Sequence, residues 1–456
     1  MPKLIQQKKS PEPCVTPVDP LVREGWKERL DAMKLGWGSD EYNIQLGSGP
    51  LEIPRQMHAR FAGMGPTIRD FLATTRDLYL EDLISPQGTG FVAGLLESGL
   101  DEPDIEKQRD WLTQMDSRLP SLVRADIADF TKISELQIYM MGLGTAQSIT
   151  DAMLAGESNF GSGLAKGFAA MVREVTGRQD PRILYLYSPF PGVDREGLYF
   201  MTKVEEELGE GSVSVAFGKT IGDASNYPQA GLIPPLDGFD LVYTNPNKAA
   251  VLEEQYQNID ELWRLYNTGG IRIEPPPETT IFNTKIAMAL PFHPNTRGHY
   301  TDEMREIFPE TVIVRPDVSF GLPSEEGVTP WERVHELPRS QRKWIIKSGR
   351  SGGSGRVFNL DCERKGVQAR ISQALAEAGQ GVLWVAQRRV DEKLYVPFYA
   401  EDGQLSGKKL HSRTTPVYRI RDAGDCELLG GCSVFRDHWK VHGQPDAIIF
   451  GIKVSG

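Results

Sequence analysis

Lys343-Trp344-Ile345-Ile346-Lys347-Ser348-Gly349-Arg350-Ser351-Gly352-Gly353-Ser354-Gly355-Arg356-Val357-Phe358 is the stretch from which the rest of the chain can be read. A short apolar run ends in a lysine, a loop of Gly, Ser and Arg follows, and an apolar pair closes it. That order predicts a strand, a flexible hairpin and a second strand. The glycines let backbone N–H groups approach an anion, and Lys347 with the arginines supplies positive charge. A flap over nucleotide phosphates and a mobile surface hairpin both satisfy the pattern. The stretch is not a Walker A loop, because no Gly-Lys-Ser/Thr closes it. Neither His-Arg-Asp nor Asp-Phe-Gly follows, which argues against a protein kinase.

Downstream, residues 343–456 read as mostly β, with one helix from about Lys365 to Ala378. The apolar run Val382-Leu383-Trp384-Val385-Ala386-Gln387 breaks into Arg388-Arg389-Val390-Asp391-Glu392. Such a segment can frame an adenine ring and offer a carboxylate to ribose, or it can be a core strand with a polar end. The segment Arg413-Thr414-Thr415-Pro416-Val417-Tyr418-Arg419-Ile420 places an arginine, Arg419, in the predicted strand Thr415–Ile420.

Upstream, residues 182–290 alternate strands (Arg182–Tyr187, Val213–Phe217, Phe239–Tyr243, Gly270–Ile273) with helices, which predicts a small parallel, Rossmann-like sheet. No Gly-x-Gly-x-x-Gly follows the first strand, so it is not read as a dinucleotide site. After Pro275-Pro276-Pro277, a helix is expected to open near Lys285 and run toward Leu290. Residues 121–140 read as a β-hairpin with its turn at Asp129–Lys132. It feeds Gly142-Leu143-Gly144 and a helix that Thr145 would cap. Residues 19–116 are mostly helical in pattern, and residues 1–20 read as a loose arm.

Composition sets the outer bounds. With 51 Lys+Arg and 62 Asp+Glu the net charge is −11, which argues against a general nucleic-acid binder. At roughly 150 residues per domain, 456 residues predict three domains or lobes. Four cysteines in so long a chain make no disulfide framework, and Cys426 and Cys432 are spaced wrongly for a zinc site. Met1 to Ser10 lacks the apolar core of a signal peptide, and no run approaches the roughly 18–20 apolar residues of a membrane span. A soluble cytoplasmic protein is expected. His293 and His299 read as solvated loop residues. His438 and His442 have i,i+4 spacing but no third ligand nearby.

The early hairpin holds the second constellation. Period two puts Arg124 and Asp126 on one face of their strand, and Glu135 and Gln137 on one face of theirs. If those faces meet, two carboxylates and an amide oxygen converge, a donor set that suits Mg²⁺ completed by substrate phosphates. A solvated polar strand face with an Arg–Asp pair gives the same pattern.

The order of these parts resembles that of the circularly permuted ATP-grasp ligases, of which the glutathionylspermidine synthases are an example. Residues 120–440 carry, in sequence, Arg124-x-Asp126, Glu135-x-Gln137, Asn283-x-Lys285, Lys347 with Gly349 to Gly355, Gln387 and Arg419. The departure is Gln137, where the family usually has Asn. The resemblance implies an α/β (α+β) chain in which the ATP-grasp core occurs in permuted order. Residues 1–118 would form an N-terminal, mostly helical region, and 119–165 the metal-binding half of the core. Residues 166–290 would form a Rossmann-like pre-ATP-grasp domain, and 291–456 the nucleotide-binding lobe with the remainder of the core. It further implies ATP and Mg²⁺ as cofactors. Asp126, Glu135 and Gln137 would hold the metal. Lys285, Lys347, Gly352, Gly353, Ser354, Gly355 and Gln387 would bind ATP, with Arg124 and Arg419 stabilising transferred charge. The expected reaction joins a small-molecule or peptide carboxylate to an amine through an acyl-phosphate, with no nucleic acid or membrane partner. Phosphoryl transfer without ligation, and a non-catalytic nucleotide-binding scaffold, are the alternatives.

Overall fold

The hairpin of Leu122–Ala128 and Lys132–Gln137 belongs to the largest sheet of the computed structural model, where Leu122–Ala128 lies between Lys132–Gln137 and strands from the end of the chain. The structure describes residues 12–33, 45–85, 88–114, 118–138, 142–156, 158–187, 194–219, 230–245, 249–320, 329–350, 356–399, 404–421, 424–441 and 446–455. Leu122–Ala128 pairs antiparallel with Lys132–Gln137 on one edge and, in a single register along the other, with Leu405–Thr414 and then Val417–Ile420. The reason is in the strand: Val123, Ala125 and Ile127 are fully buried on one face, and Arg124 and Asp126 stand on the other. Cys432–Arg436 and Ile448–Val454 extend the sheet beyond Leu405–Thr414. The outer edge comes from the other end of the chain, where Leu51–Ile53 runs parallel to the last strand and Cys14–Val15 pairs with Leu51–Ile53. The segment read as a loose arm therefore contributes a strand, because Cys14 and Val15 find unpaired backbone on Glu52 and Leu51.

Two smaller sheets flank it, so the protein is a mixed α/β fold. One is antiparallel, in the order Thr311–Val314, Trp384–Arg388, Trp344–Ser348, Val357–Asn359. Trp344 and Ile346 face the helix Arg364–Ala378 and pack with Val367, Ile371 and Trp384. Period two then turns Lys347 to the opposite face. The other sheet is parallel, in the order Val213–Phe217, Ile183–Tyr187, Leu241–Asn245, Arg272–Glu274. Ile183–Tyr187 is buried at every position, as a strand covered on both faces must be.

Two local expectations are corrected. No α-helix opens at Lys285. Pro277–Phe282 and Ala287–Phe292 are separate 3-10 turns, because the preceding prolines and Pro291 remove N–H donors that a longer helix needs. Thr145 does not cap the helix Leu143–Leu154. Gly142, in the left-handed region, stands at its N-cap, and Thr145 lies inside the first turn. That helix meets the helix Asp194–Leu208 so closely that a Cβ on Gly144 would overlap the backbone carbonyl of Glu196. Gly144→Ala is expected to destabilise the chain by about 1–3 kcal/mol, the overpacking cost outweighing the helix propensity of alanine. An unchanged urea midpoint would contradict this close packing.

The N-terminal region is stitched to the base of the glycine loop. The Arg350 guanidinium donates to the carbonyls of Leu96, Ser98 (2.9 Å) and Thr280 (3.2 Å). The Ser98 hydroxyl donates to the Gly381 carbonyl at 2.8 Å and accepts from the Leu383 N–H at 2.8 Å. Among the described residues no helix is long and apolar enough to cross a membrane.

Candidate active site

The hairpin register decides which polar side chains meet. Arg124 lies directly opposite Gln137, and Asp126 opposite Glu135, so all four share a face. Asp126 is 2% exposed and sits between two guanidinium groups, with Arg124 Nε at 3.1 Å and Arg413 Nη1 at 3.5 Å. Gln137 accepts from Arg124 through Oε1, and its Nε2 lies 3.4 Å from Asp126 Oδ2.

Both lysines reach the same face from later segments. The Lys285 backbone N–H donates to the Gly349 carbonyl at 2.8 Å, which fixes the 284–286 turn against the root of the glycine loop. Its buried ammonium pairs with Glu135 Oε1 at 3.0 Å. Lys347 Nζ donates to the Ser134 carbonyl at 3.1 Å and to Gln387 Oε1 at 2.8 Å. Gln387 is in turn held by the Thr311 hydroxyl, 3.3 Å from its Nε2. Burial pulls the Lys347 ammonium down from its ordinary 10.5 to about 8, with Lys285 acting in the same direction and Glu135 and Asp126 opposing it. A buried cation hydrogen-bonded to neutral oxygens is a receptor for an anion.

Arg124, Asp126, Glu135, Gln137, Lys285, Lys347 and Gln387 thus form one group. Arg419 stands apart from it. It lies opposite Leu122 at the far end of the strand pair, where it pairs with Glu174 and, at 3.5 Å, Glu427 and donates to the Ala170 carbonyl at 3.1 Å. The arginine that joins Asp126 is Arg413, on the preceding strand Leu405–Thr414 along the same edge. Gly352, Gly353, Ser354 and Gly355 lie outside the described residues.

Sequence reasoning also missed Glu196. Its carboxylate accepts from the N–H groups of Gly142 and Thr145 (2.5 and 2.7 Å) and from the Thr145 hydroxyl (2.8 Å). It fixes the chain that follows the hairpin to the parallel-sheet side of the molecule. Burial pushes its carboxyl up, against these hydrogen bonds and the Arg124 charge. Nothing in local sequence signals a cap borrowed from 50 residues away.

No family model matches the chain, and no curated protein matches it. Among solved structures, a glutathione synthetase-like effector of Globodera pallida in its apo form superposes with a TM-score of 0.53. The match covers 97% of this chain and 100% of that one at 13% identity. The chain therefore shares, over nearly its whole length, the fold of a glutathione synthetase-like protein.

Proposed function

We propose that this protein is an ATP-dependent carboxylate–amine ligase with the ATP-grasp core in circularly permuted order. The observation that carries the proposal is the meeting of Lys347 and Lys285 with the Asp126–Glu135 face. These residues come from the first third and the last third of the chain. In such a ligase a carboxylate takes the γ-phosphoryl group of ATP, an amine displaces phosphate from the acyl-phosphate, and an amide, ADP and phosphate result. The glutathione synthetase-like fold supports this reaction class.

Among the described residues no three His, Cys, Asp or Glu side chains cluster into a metal cage. Two carboxylates and an amide oxygen instead fit Mg²⁺ in the mode where phosphates and water complete its shell. Asp126, Glu135 and Gln137 would hold it, and when bound it supplies neutralisation of phosphate charge. Lys347 and Lys285 would bind the phosphates, with Lys285 exchanging Glu135 for phosphate oxygen. Arg124 stabilises the charge that develops on the transferred group. We place Arg413 beside it, in the role the sequence pattern suggested for Arg419. The Gly349–Gly355 loop would cover the phosphates and exclude the water that would hydrolyse the intermediate. In this reading residues 119–165 and 291–456 form the ATP-grasp core, 166–290 the pre-ATP-grasp domain, and 1–118 the brace of the loop. The four free cysteines fit a reducing cytoplasm.

The deciding experiment is ADP release from ATP and Mg²⁺ with pools of acids and amines. Release that needs both an acid and an amine supports the ligase. A phosphorylated product without need for amine makes the protein a phosphotransferase, and binding without turnover makes it a scaffold.

The Lys347 geometry carries a pH prediction. The group titrates near 8 in the free protein, and a phosphate beside it would raise that value. Nucleotide binding is therefore expected to take up close to one proton at pH 9 and almost none at pH 7. Calorimetry in buffers of different ionisation enthalpy reads this directly, and equal uptake at both pH values would refute it. The same shift bears on stability. Between 8 and 10.5 the unfolded chain holds more protons on this group than the folded one, so its contribution to stability rises with pH across that window.

A further inference from the structure

A chain of hydrogen bonds runs from Lys347 across the antiparallel sheet, and its far end has no part in the mechanism above. Gln387 lies directly opposite Ile345 on Trp344–Ser348 and, on its other side, directly opposite Thr311 on the edge strand Thr311–Val314. Lys347 is two residues on from Ile345, so Thr311, Gln387 and Lys347 share one face of the sheet. All three are buried.

The direction of every bond in the chain follows from its ends. The Pro309 carbonyl can only accept, so the Thr311 hydroxyl, 2.8 Å away, donates to it. A hydroxyl has one proton, and toward Gln387 this one can therefore only accept. Gln387 Nε2 donates to Thr311 Oγ1 at 3.3 Å, which turns Oε1 the other way, to accept from Lys347 Nζ at 2.8 Å. The reversed amide would set oxygen against oxygen with no proton between them at one end, and an NH2 group against an ammonium at the other. Lys347 gives a second N–H to the Ser134 carbonyl at 3.1 Å, and an ammonium has three.

We propose that Thr311 is a positioning residue that locks the Gln387 amide with its oxygen toward Lys347, and so holds the ammonium with its third N–H directed to a phosphate oxygen of the nucleotide. The proposal rests on the ATP-site reading above. Thr311 touches no ligand in this arrangement. It acts through the amide, whose orientation it maintains while the ammonium turns to phosphate.

The test is equilibrium binding of ATP with Mg²⁺ to the full-length protein by calorimetry. Thr311→Val keeps the shape of the side chain and removes the hydroxyl. It should weaken ATP binding about ten-fold, the scale of one hydrogen bond to a charged group. Thr311→Ser keeps the hydroxyl and loses the methyl, and should stay within about two-fold of wild type. A packing role for Thr311 gives the opposite order. Gln387→Leu should weaken binding at least as much as Thr311→Val. Adding Thr311→Val to Gln387→Leu should then change nothing further, because the effect travels through the amide. A hydroxyl needed only to satisfy Pro309 would add its full effect in that background. Should Thr311→Val fail to fold, Thr311→Ala takes its place in the same cycle. Unchanged ATP binding in Thr311→Val, a loss in Thr311→Ser as large as in Thr311→Val, or additive losses in the double variant each overturn the proposal and leave the ATP-site reading standing. A wild-type protein that does not bind ATP overturns that reading, and this proposal with it.

Discussion

Lys347→Ala should reduce nucleotide turnover by at least about 10²–10³-fold, the scale of removing one preorganised donor from a developing anion. The ammonium is buried, and it is held by the Ser134 carbonyl and Gln387 rather than by a carboxylate. Its removal leaves no substitute at that position, because Lys285 reaches the face beside Glu135 from a different segment. The fold should survive. The charged group is disfavoured by its own burial, so relief of desolvation offsets much of the lost packing. Lys347→Met keeps the aliphatic stem and separates the two effects. ADP release and a thermal melt on both variants give the answer. Turnover within ten-fold of wild type would remove Lys347 from the site.

Asp126→Asn should damage stability and function together. Asp126 is nearly inaccessible and stands between Arg124 and Arg413. Neutralising it takes the buried carboxylate charge away from the part-buried guanidinium groups of Arg124 and Arg413. Breaking a buried pair in this way costs about 3–5 kcal/mol. Urea unfolding in metal-free buffer isolates that cost, since no bound ion contributes there. Added Mg²⁺ should then raise nucleotide affinity for wild type and leave the variant unchanged, with turnover at least about 10²-fold lower. A wild-type urea midpoint together with an intact Mg²⁺ response would eliminate Asp126 as a metal ligand.

What could be read from sequence follows the reach of local rules. Strand periodicity alone puts Arg124 with Asp126 and Glu135 with Gln137, and a short turn at 129–131 brings the two pairs together. The continuous apolar run of Ile183–Tyr187 and the α/β alternation around it give the parallel sheet. Failure came where a non-local partner decides. Arg413 and Arg419 are both strand arginines in similar sequence, and they differ in what covers each strand end. Glu174, on the helix Leu164–Thr176, claims Arg419. The cap of Leu143–Leu154 was invisible because Glu196 supplies it from another part of the molecule. The short strands at 14–15 and 51–53 carry too few residues to show a period, and they exist because the sheet leaves them an edge.

The placement of the early hairpin also has a consequence in time. Arg124 must wait for Val417 and Asp126 for Arg413, which leave the ribosome nearly 300 residues later. At about 5–20 residues per second that interval is roughly 15–60 s. Throughout it, Leu122–Ala128 has one edge paired with its hairpin partner and the other open, and Val123, Ala125 and Ile127 have no further sheet around them. Leu51–Ile53 waits longer still, for the final strand. The nascent chain therefore carries an apolar strand that needs shielding for most of its synthesis, and the polar face of the hairpin is completed only when translation is almost finished.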